Sequence, residues 1–176
     1  EGGVGSAFCN LITRRSDGTI DFVSDTSQNA ASLTLTGWDL IASYQMELGE
    51  GTFDIDYLGT YTTESDFSPF AGGDKVVCAG NFGADCGEPV PEYKHRTTFK
   101  YTTDEFVVQL LWRFVGEVFD DDDGTQFTVE RIGAFNYFDA STTYYINDNY
   151  RVTAGIDNLF DKKPPIIGDN DEQSNT

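Results

Sequence analysis

From residue 38 onward the chain repeats one pattern, an apolar side chain at every second position. Trp38, Leu40, Ala42, Tyr44, Met46 and Leu48 fall on one face and alternate with Asp39, Ser43, Gln45 and Glu47. Apolar positions that recur at two rather than at three or four exclude a helix and specify a strand with two chemically different faces. The pattern returns with Phe53, Ile55, Tyr57 and Tyr61 against Asp54, Asp56 and Thr60, then with Tyr93, His95, Phe99 and Tyr101 against Lys94, Arg96, Thr98 and Lys100. It continues with Phe106, Val108, Leu110, Trp112 and Phe114 against Gln109, Arg113 and Glu117, where Val107, Leu111 and Val115 make the second face mixed. Phe138, Ala140, Thr142, Tyr144 and Ile146 alternate with Tyr137, Asp139, Ser141, Thr143 and Tyr145, and Tyr150, Val152, Ala154 and Ile156 with Arg151, Thr153, Gly155 and Asp157. The expectation is an all-β chain of about six strands, several far longer than the usual 5–6 residues, with no helix.

The connections between these strands sort by length. Short ones fall at residues 49–51, 102–104 and 147–149, and long ones at 1–31, 64–92, 118–134 and 161–176, in strict alternation. In an antiparallel up-and-down sheet successive connections lie at opposite ends. All short turns therefore collect at one end and all long loops at the other. Transmembrane β-barrels have this asymmetry, whereas a sandwich has no reason to sort its loops. Aromatic residues also recur near strand ends (Trp38, Tyr61, Tyr93, Tyr101, Phe106, Phe135 and Tyr150), as an interfacial girdle requires. The long connections read as irregular, except for a short strand at residues 19–23 after the turn signal Asp17-Gly18.

Composition narrows the function. Thirty acidic side chains against 11 basic ones give a net charge of -19, which leaves no basic surface to replace the counterions of nucleic acid. An aromatic content of 14% argues against disorder. No apolar run is long enough for a transmembrane helix, but a transmembrane strand needs only about 9–11 residues with alternate positions apolar.

Cys78 and Cys86 bracket a Gly-rich stretch. A disulfide closing a surface loop in an oxidising compartment is the expected reading, and a pair of free thiols in a cytosolic loop the alternative. Cys9 is the odd one of the three. A zinc site is not expected from one His without a Cys-x-x-Cys. The run Asp120-Asp121-Asp122-Asp123-Gly124 with Glu130 partly fits a calcium-loop pattern: Asp121, Asp123, Gly124 and Glu130 suit its third, fifth, sixth and twelfth positions. Phe119 occupies the first and offers no oxygen. A solvated acidic loop is the expected reading, and a weak divalent-ion site on Asp121, Asp123 and Glu130 the alternative. Asp54 and Asp56 share a strand face without a partner that would make them acid and base. No nucleophile motif, phosphate loop or nucleotide fingerprint occurs. Neither enzymatic activity nor a cofactor is expected.

Residues 150–165 read YRVTAGIDNLFDKKPP: a strand that stops at Asp161, two lysines and two prolines, which cannot extend a ladder. Asn158, Leu159, Phe160 and Asp161, followed by Pro164 and Pro165, resemble the signature of the penultimate barrel strand in TonB-dependent outer-membrane receptors. Residues 78–91, with Gly87-Glu88-Pro89-Val90-Pro91 ahead of Lys94-His95-Arg96, are similar to an extracellular loop and strand of the same family. So is Phe8-Cys9 followed by Arg14-Arg15 and Asp17-Gly18.

The resemblance implies an up-and-down transmembrane β-barrel segment with short periplasmic turns and long extracellular loops, in the bacterial outer membrane. Residues 1–176 are then expected to be a partial C-terminal barrel, cut at both ends, since barrels of this kind have about 22 strands. The plug domain and the final strand would lie outside the chain. The implied function is energy-coupled uptake of a scarce solute such as a siderophore-iron complex, cobalamin or an oligosaccharide. The implied partners are outer-membrane lipid, the receptor's own plug domain, the TonB complex reached through a missing N-terminal region, and a small solute. On this register Arg113, Glu117, Tyr137, Asp139 and Tyr145 face the lumen, either lining the solute's path or bonding to the plug and neighbouring strands. His95 falls on the lipid face near a strand end. The competing reading is a secreted all-β carbohydrate-binding module, to which the aromatic content and a disulfide are equally suited.

Overall fold

A computed structural model describes residues 7–24, 32–69, 73–121 and 129–166. The chain divides into two units, Glu1–Ala30 and Ala31–Thr176. In the first, a 3-10 turn at Ala7–Leu11 leads into β1 (Ile12–Arg14), which pairs antiparallel with β2 (Ile20–Val23). The turn between them is held by Asp17, whose carboxylate accepts the Thr19 amide at 2.9 Å and its hydroxyl at 2.6 Å. Periodicity had indicated only the second strand, because a three-residue strand is too short to show a period.

The second unit is built on one antiparallel sheet. Its long strands are β3 (Ser32–Leu48), β4 (Gly51–Ser68), β7 (Tyr93–Thr102), β8 (Phe106–Val115), β11 (Phe135–Asn147) and β12 (Tyr150–Ile156), in the order β12-β11-β8-β7-β4-β3, with the two-residue β5 (Val76–Val77) pairing β4. Six long strands in up-and-down order match the count read from alternation. Among the described residues β3 and β12 each bond to one neighbour only, so the sheet is open at both edges. The short turns are made by local chemistry. Gly49 supplies a φ of 64° between β3 and β4, where a side chain would strain the backbone. The turn between β7 and β8 is closed by the Thr103 amide, which donates to the Phe106 carbonyl at 2.8 Å, and by the Thr103 hydroxyl, which accepts the Phe106 amide at 3.1 Å. The Asn147 side chain accepts the Asn149 and Tyr150 amides at 3.0 and 3.1 Å, an Asx turn.

Two expectations are corrected. β4 does not fade at Glu64 but runs to Ser68, still paired with β3. A bulge opposite Thr36–Gly37, where Thr36 pairs with Glu64 and Gly37 with Thr62, shifts the phase so that alternation is lost while the ladder continues. The segments 64–92 and 118–134 are not wholly irregular either. They contribute β6 (Asn81–Phe82), β9 (Val118–Asp120) and β10 (Arg131–Ile132), which form a three-stranded sheet of order β10-β9-β6, with β6 parallel to β9. Strands of two or three residues carry no legible period.

Residues opposite one another on paired strands share a face, so the register assigns both faces. Trp38, Tyr57, Tyr61, His95, Phe99, Leu110, Trp112, Phe138 and Ala154 lie on one face. Asp54, Asp56, Lys94, Arg96, Lys100, Gln109, Arg113, Tyr137 and Asp139 lie on the other. The aromatic face carries two bands. Near the long-connection end, Tyr93 and Phe114 pack on His95, and His95, Trp112, Phe138 and Phe160 touch in turn, with His95 edge-on to Trp112 at 4.5 Å and Phe160 edge-on to Phe138 at 5.5 Å. Tyr57 joins this band by a 2.6 Å hydroxyl contact with Tyr93. Its ring lies over Gly59, where a Cβ would overlap it. Near the short-turn end, Phe53 stacks on Phe99 and Tyr101 packs on Phe106. Phe106 and Phe114, at opposite ends of β8, are about 27 Å apart along the strand at the usual rise. Phe135 was expected in a girdle, but it pairs with Val115 on the polar face and stacks on Tyr137.

The interior is not where a soluble domain keeps it. Among the described residues the buried hydrophobic side chains are Cys78, Phe82, Val118 and Ile132, all in the long connections. Along the sheet, Trp38 is 75% exposed and Val152 57%.

Candidate functional site

The long-connection end of the polar face gathers most of the chemistry. Its frame is the small cap of β6, β9 and β10. Phe82, Val118 and Ile132 form a closed apolar cluster there, with Val129 and Phe135 packed against it. The Cys78–Cys86 disulfide closes the loop that carries β6. Asp121 ties that loop to β9: one carboxylate oxygen accepts the Asp85 amide at 3.1 Å and the Cys86 amide at 2.5 Å. The other oxygen is buried without a hydrogen-bond partner and sits against Gly83, where a Cβ would overlap it. Asp121 is thus directed into the loop's own backbone. Asp123, the second candidate for a divalent ion, lies outside the described residues. Among the described residues no cluster of three His, Cys, Asp or Glu side chains has a metal-binding arrangement. Lys75 reaches back from the loop to the buried Asp66 of β4 in an ion pair. That hydrogen bond raises the lysine above its ordinary value of 10.5, outweighing the partial desolvation that would lower it.

The residues expected to line the polar face divide into two groups. Arg113, Tyr137 and Asp139 come together. Arg113 donates to both oxygens of Asp139, at 3.0 and 3.1 Å, and lies over the Tyr137 ring at 5.4 Å. Tyr145 shares the face but lies toward the short-turn end, opposite Arg151 of β12. Glu117 lies beyond the end of β8 and pairs with Arg131 of the cap, Nε to Oε2 at 2.9 Å.

The motif at the end of β12 is part of the same assembly. Asn158 and Asp161 both adopt left-handed backbone, with φ of 52° and 47°, a conformation that Asn and Asp tolerate better than most residues. The Asn158 side chain closes the turn by accepting the Lys162 amide at 2.9 Å and donating to the Lys162 carbonyl at 3.0 Å. Its backbone amide donates to Asp139 at 2.8 Å, and the Leu159 amide donates to the Phe138 carbonyl at 2.7 Å. Phe160 is thereby turned onto the aromatic face against Phe138. Pro165 reaches the polar side, where it helps to line a cleft.

That cleft was not indicated by the sequence. It has a volume of about 200 Å³ and is lined by Pro89, Pro91, Val115, Gly116, Val118, Ile132, Phe135, Tyr137 and Pro165. Three separate connections supply its walls, so no local pattern could announce it. In the strand register Lys94 stands opposite Val115 and Arg96 opposite Arg113, but neither cation lines the cleft. Lys162 reaches over the Phe135 ring at 5.0 Å.

A family model described as TonB dependent receptor-like, beta-barrel matches residues 8–159. No curated protein and no solved structure matches the chain.

Proposed function

The chain belongs to the TonB-dependent receptor-like β-barrel family, whose members are outer-membrane receptors and transporters rather than enzymes, and we propose that it forms part of the wall of a receptor that takes up a scarce solute with energy from the TonB complex. One observation carries this reading. The sheet has an apolar, aromatic-banded face that no other element covers among the described residues, while the buried apolar cluster is confined to the connections. An exposed apolar face of this extent calls for a partner surface. Lipid suits it better than protein. The two aromatic bands lie about 27 Å apart along the strand, or roughly 20 Å apart in height at a barrel strand's usual tilt. They bracket most of a barrel's apolar belt of about 25 Å, the pattern that two membrane interfaces select, and β7 and β8, of ten residues each, match the about 9–11 residues of a spanning strand.

The polar face is then the lumen, the long connections are extracellular, and the unpaired edges of β3 and β12 are closed by further strands of the same barrel. The plug domain fills the lumen below the cap, and the solute arrives from the cap side. The solute on this reading is a siderophore-iron complex, cobalamin or an oligosaccharide. A carbohydrate-binding sandwich would instead stack a second sheet on the aromatic face.

The test is site-directed spin labelling of the receptor in lipid. Labels at Leu110 and at Gln109, adjacent positions on opposite faces of β8, should report opposite environments. Leu110 should be quenched by oxygen and Gln109 by a water-soluble nickel chelate. Water-soluble quenching at Leu110 would defeat the proposal.

A further inference from the structure

The long-connection end of the aromatic face carries a row with a chemistry of its own. Trp38, Tyr61 and Tyr93 stand side by side across β3, β4 and β7. Trp38 is 75% exposed and Tyr61 45%, so their rings are open to whatever meets this face. The third ring is backed by a built pair: the Tyr93 and Tyr57 hydroxyls bond to one another at 2.6 Å. Tyr57 reaches Tyr93 by lying over Gly59, where any Cβ would overlap its ring. Of the two hydroxyl protons only one is used in that bond. The other, with the lone pairs that remain, is left for an outside partner. The corresponding row at the short-turn end of the same three strands is Met46, Phe53 and Tyr101. It offers no such group, because the Tyr101 hydroxyl is spent on the Leu48 carbonyl at 2.9 Å.

Height and charge decide what could lie there. Leu110, midway between the two aromatic bands, stands opposite Phe99, and Tyr93 is about 20 Å from Phe99 along β7 at the usual rise. At a barrel strand's tilt that is about 15 Å in height, just beyond the half-height of about 12 Å of the apolar belt. The row is therefore at the level of lipid headgroups. A phosphate would find no cation beside it. From this row down to the short turns, the aromatic face of β3, β4, β7 and β8 holds no Asp, Glu, Lys or Arg. His95 is bonded to the Thr97 hydroxyl and packed between Trp112 and Phe114. Above the row, Thr36 pairs with Glu64 and donates to its carboxylate at 2.8 Å, and Lys75 is bound to Asp66. A phosphate would meet a carboxylate first. A sugar would not be opposed. Flat rings receive the C–H face of a pyranose, and hydroxyls that both donate and accept match its own.

We propose that Trp38, Tyr61 and the Tyr57–Tyr93 pair form a docking surface for the sugar headgroup of a glycolipid in the leaflet at the long-connection end. The proposal rests on the receptor reading and names a lipid partner of the barrel's outer wall, separate from the solute. The asymmetry between the two rows assigns it to one leaflet, and the lack of a cation sets sugar above phosphate.

The test places the full-length receptor in phosphatidylcholine nanodiscs that contain equal amounts of monoglucosyl diacylglycerol and phosphatidylglycerol with the same acyl chains. Native mass spectrometry then counts the lipids retained by the ejected protein. The glycolipid should exceed phosphatidylglycerol by about threefold or more, the scale of a net hydrogen bond. Trp38→Leu combined with Tyr61→Leu should bring the two to parity. Tyr57→Phe, which keeps the ring over Gly59 and removes only the hydroxyl, should lower the excess, and Tyr101→Phe should leave it unchanged. Parity in the unmodified receptor would show an ordinary interfacial belt and overturn the proposal without any variant. An excess of phosphatidylglycerol would overturn it in favour of phosphate, and a glycolipid excess that survives both Tyr57→Phe and the double variant would place the site elsewhere. A heat-modifiable gel shift of the same samples reports whether a barrel is present. Its absence in the unmodified protein would overturn the receptor reading itself, whereas its presence with parity overturns only the lipid assignment.

Discussion

The carboxylate of Asp139 accepts the backbone amide of Asn158 at 2.8 Å while it also holds the Arg113 guanidinium. One side chain on β11 therefore fixes the end of β12 and a cation on β8. The Asn-Leu-Phe-Asp turn closes on its own side chain and on Lys162, and its neighbour strand adds this acceptor. Asp139→Ala should leave both the amide and the guanidinium without a partner and cost about 1–3 kcal/mol, read as a lower urea midpoint for the lipid-reconstituted receptor. Asn158→Ala should cost less, because it removes the two Lys162 contacts and a favourable left-handed residue but keeps the amide. An unchanged midpoint for Asp139→Ala would reject the role.

Adjacent leucines on β8 should respond differently to charge. Leu110 pairs with Phe99 and Ala140 on the aromatic face, and Leu111 with Thr98 and Asp139 on the polar one. Leu110→Arg should destabilise the inserted barrel by about 2–4 kcal/mol, as a cation near the bilayer midplane does. Leu111→Arg, in reach of Asp139, should cost far less. Equilibrium folding into vesicles measures both, and equal costs would contradict the register.

Breaking the disulfide should loosen the cap and spare the wall. Cys78 and Cys86 close a loop of sequence separation 8, for which the chain-entropy model gives about 2–3 kcal/mol. The double substitution to serine should speed proteolytic cleavage within residues 78–91, with no change in the barrel's heat-modifiable mobility. Cleavage at the unmodified rate would show that the cap is held without the bridge.

The Lys75–Asp66 contact predicts a response to alkali. The lysine is raised above 10.5 in the folded protein, first by its hydrogen bond to Asp66. A raised cation contributes stability that is complete below 10.5 and is lost as pH climbs through the folded value. Proteolysis of the loop beside β5 should therefore accelerate above about pH 10.5. Lys75→Gln should show the faster rate at neutral pH and no alkaline step. An alkaline step that persists in the variant would assign it to another group.

The strands were legible wherever a face was long enough to repeat. Leu40 to Leu48 and Phe106 to Phe114 declare their period outright, and the alternation of short and long connections carries the topology, because it depends on spacing and not on any one residue. Legibility failed where pairing is short or shifted. β6, β9 and β10 have too few residues for a period, and the bulge at Thr36–Gly37 hides the last turn of the β4 ladder. The motif at Asn158–Asp161 could be found by resemblance, but its dependence on Asp139 could not, since 19 positions separate the partners. Phe135 was misplaced by the same limit: being aromatic near a strand end does not decide which face it occupies, and its phase relative to Tyr137 does.

The small buried cluster of Phe82, Val118 and Ile132 has a consequence for how such a protein changes over time. It is held mainly by side chains of the connections, with Phe135 of β11 as its link to the sheet, whereas on the receptor reading the strands answer to lipid on one side and to pairing along the ladder. Substitutions that reshape the mouth are thus released from the constraints on the strands beneath it. On the receptor reading, a lineage could exchange what it captures at the cell surface while the frame beneath stays as inherited.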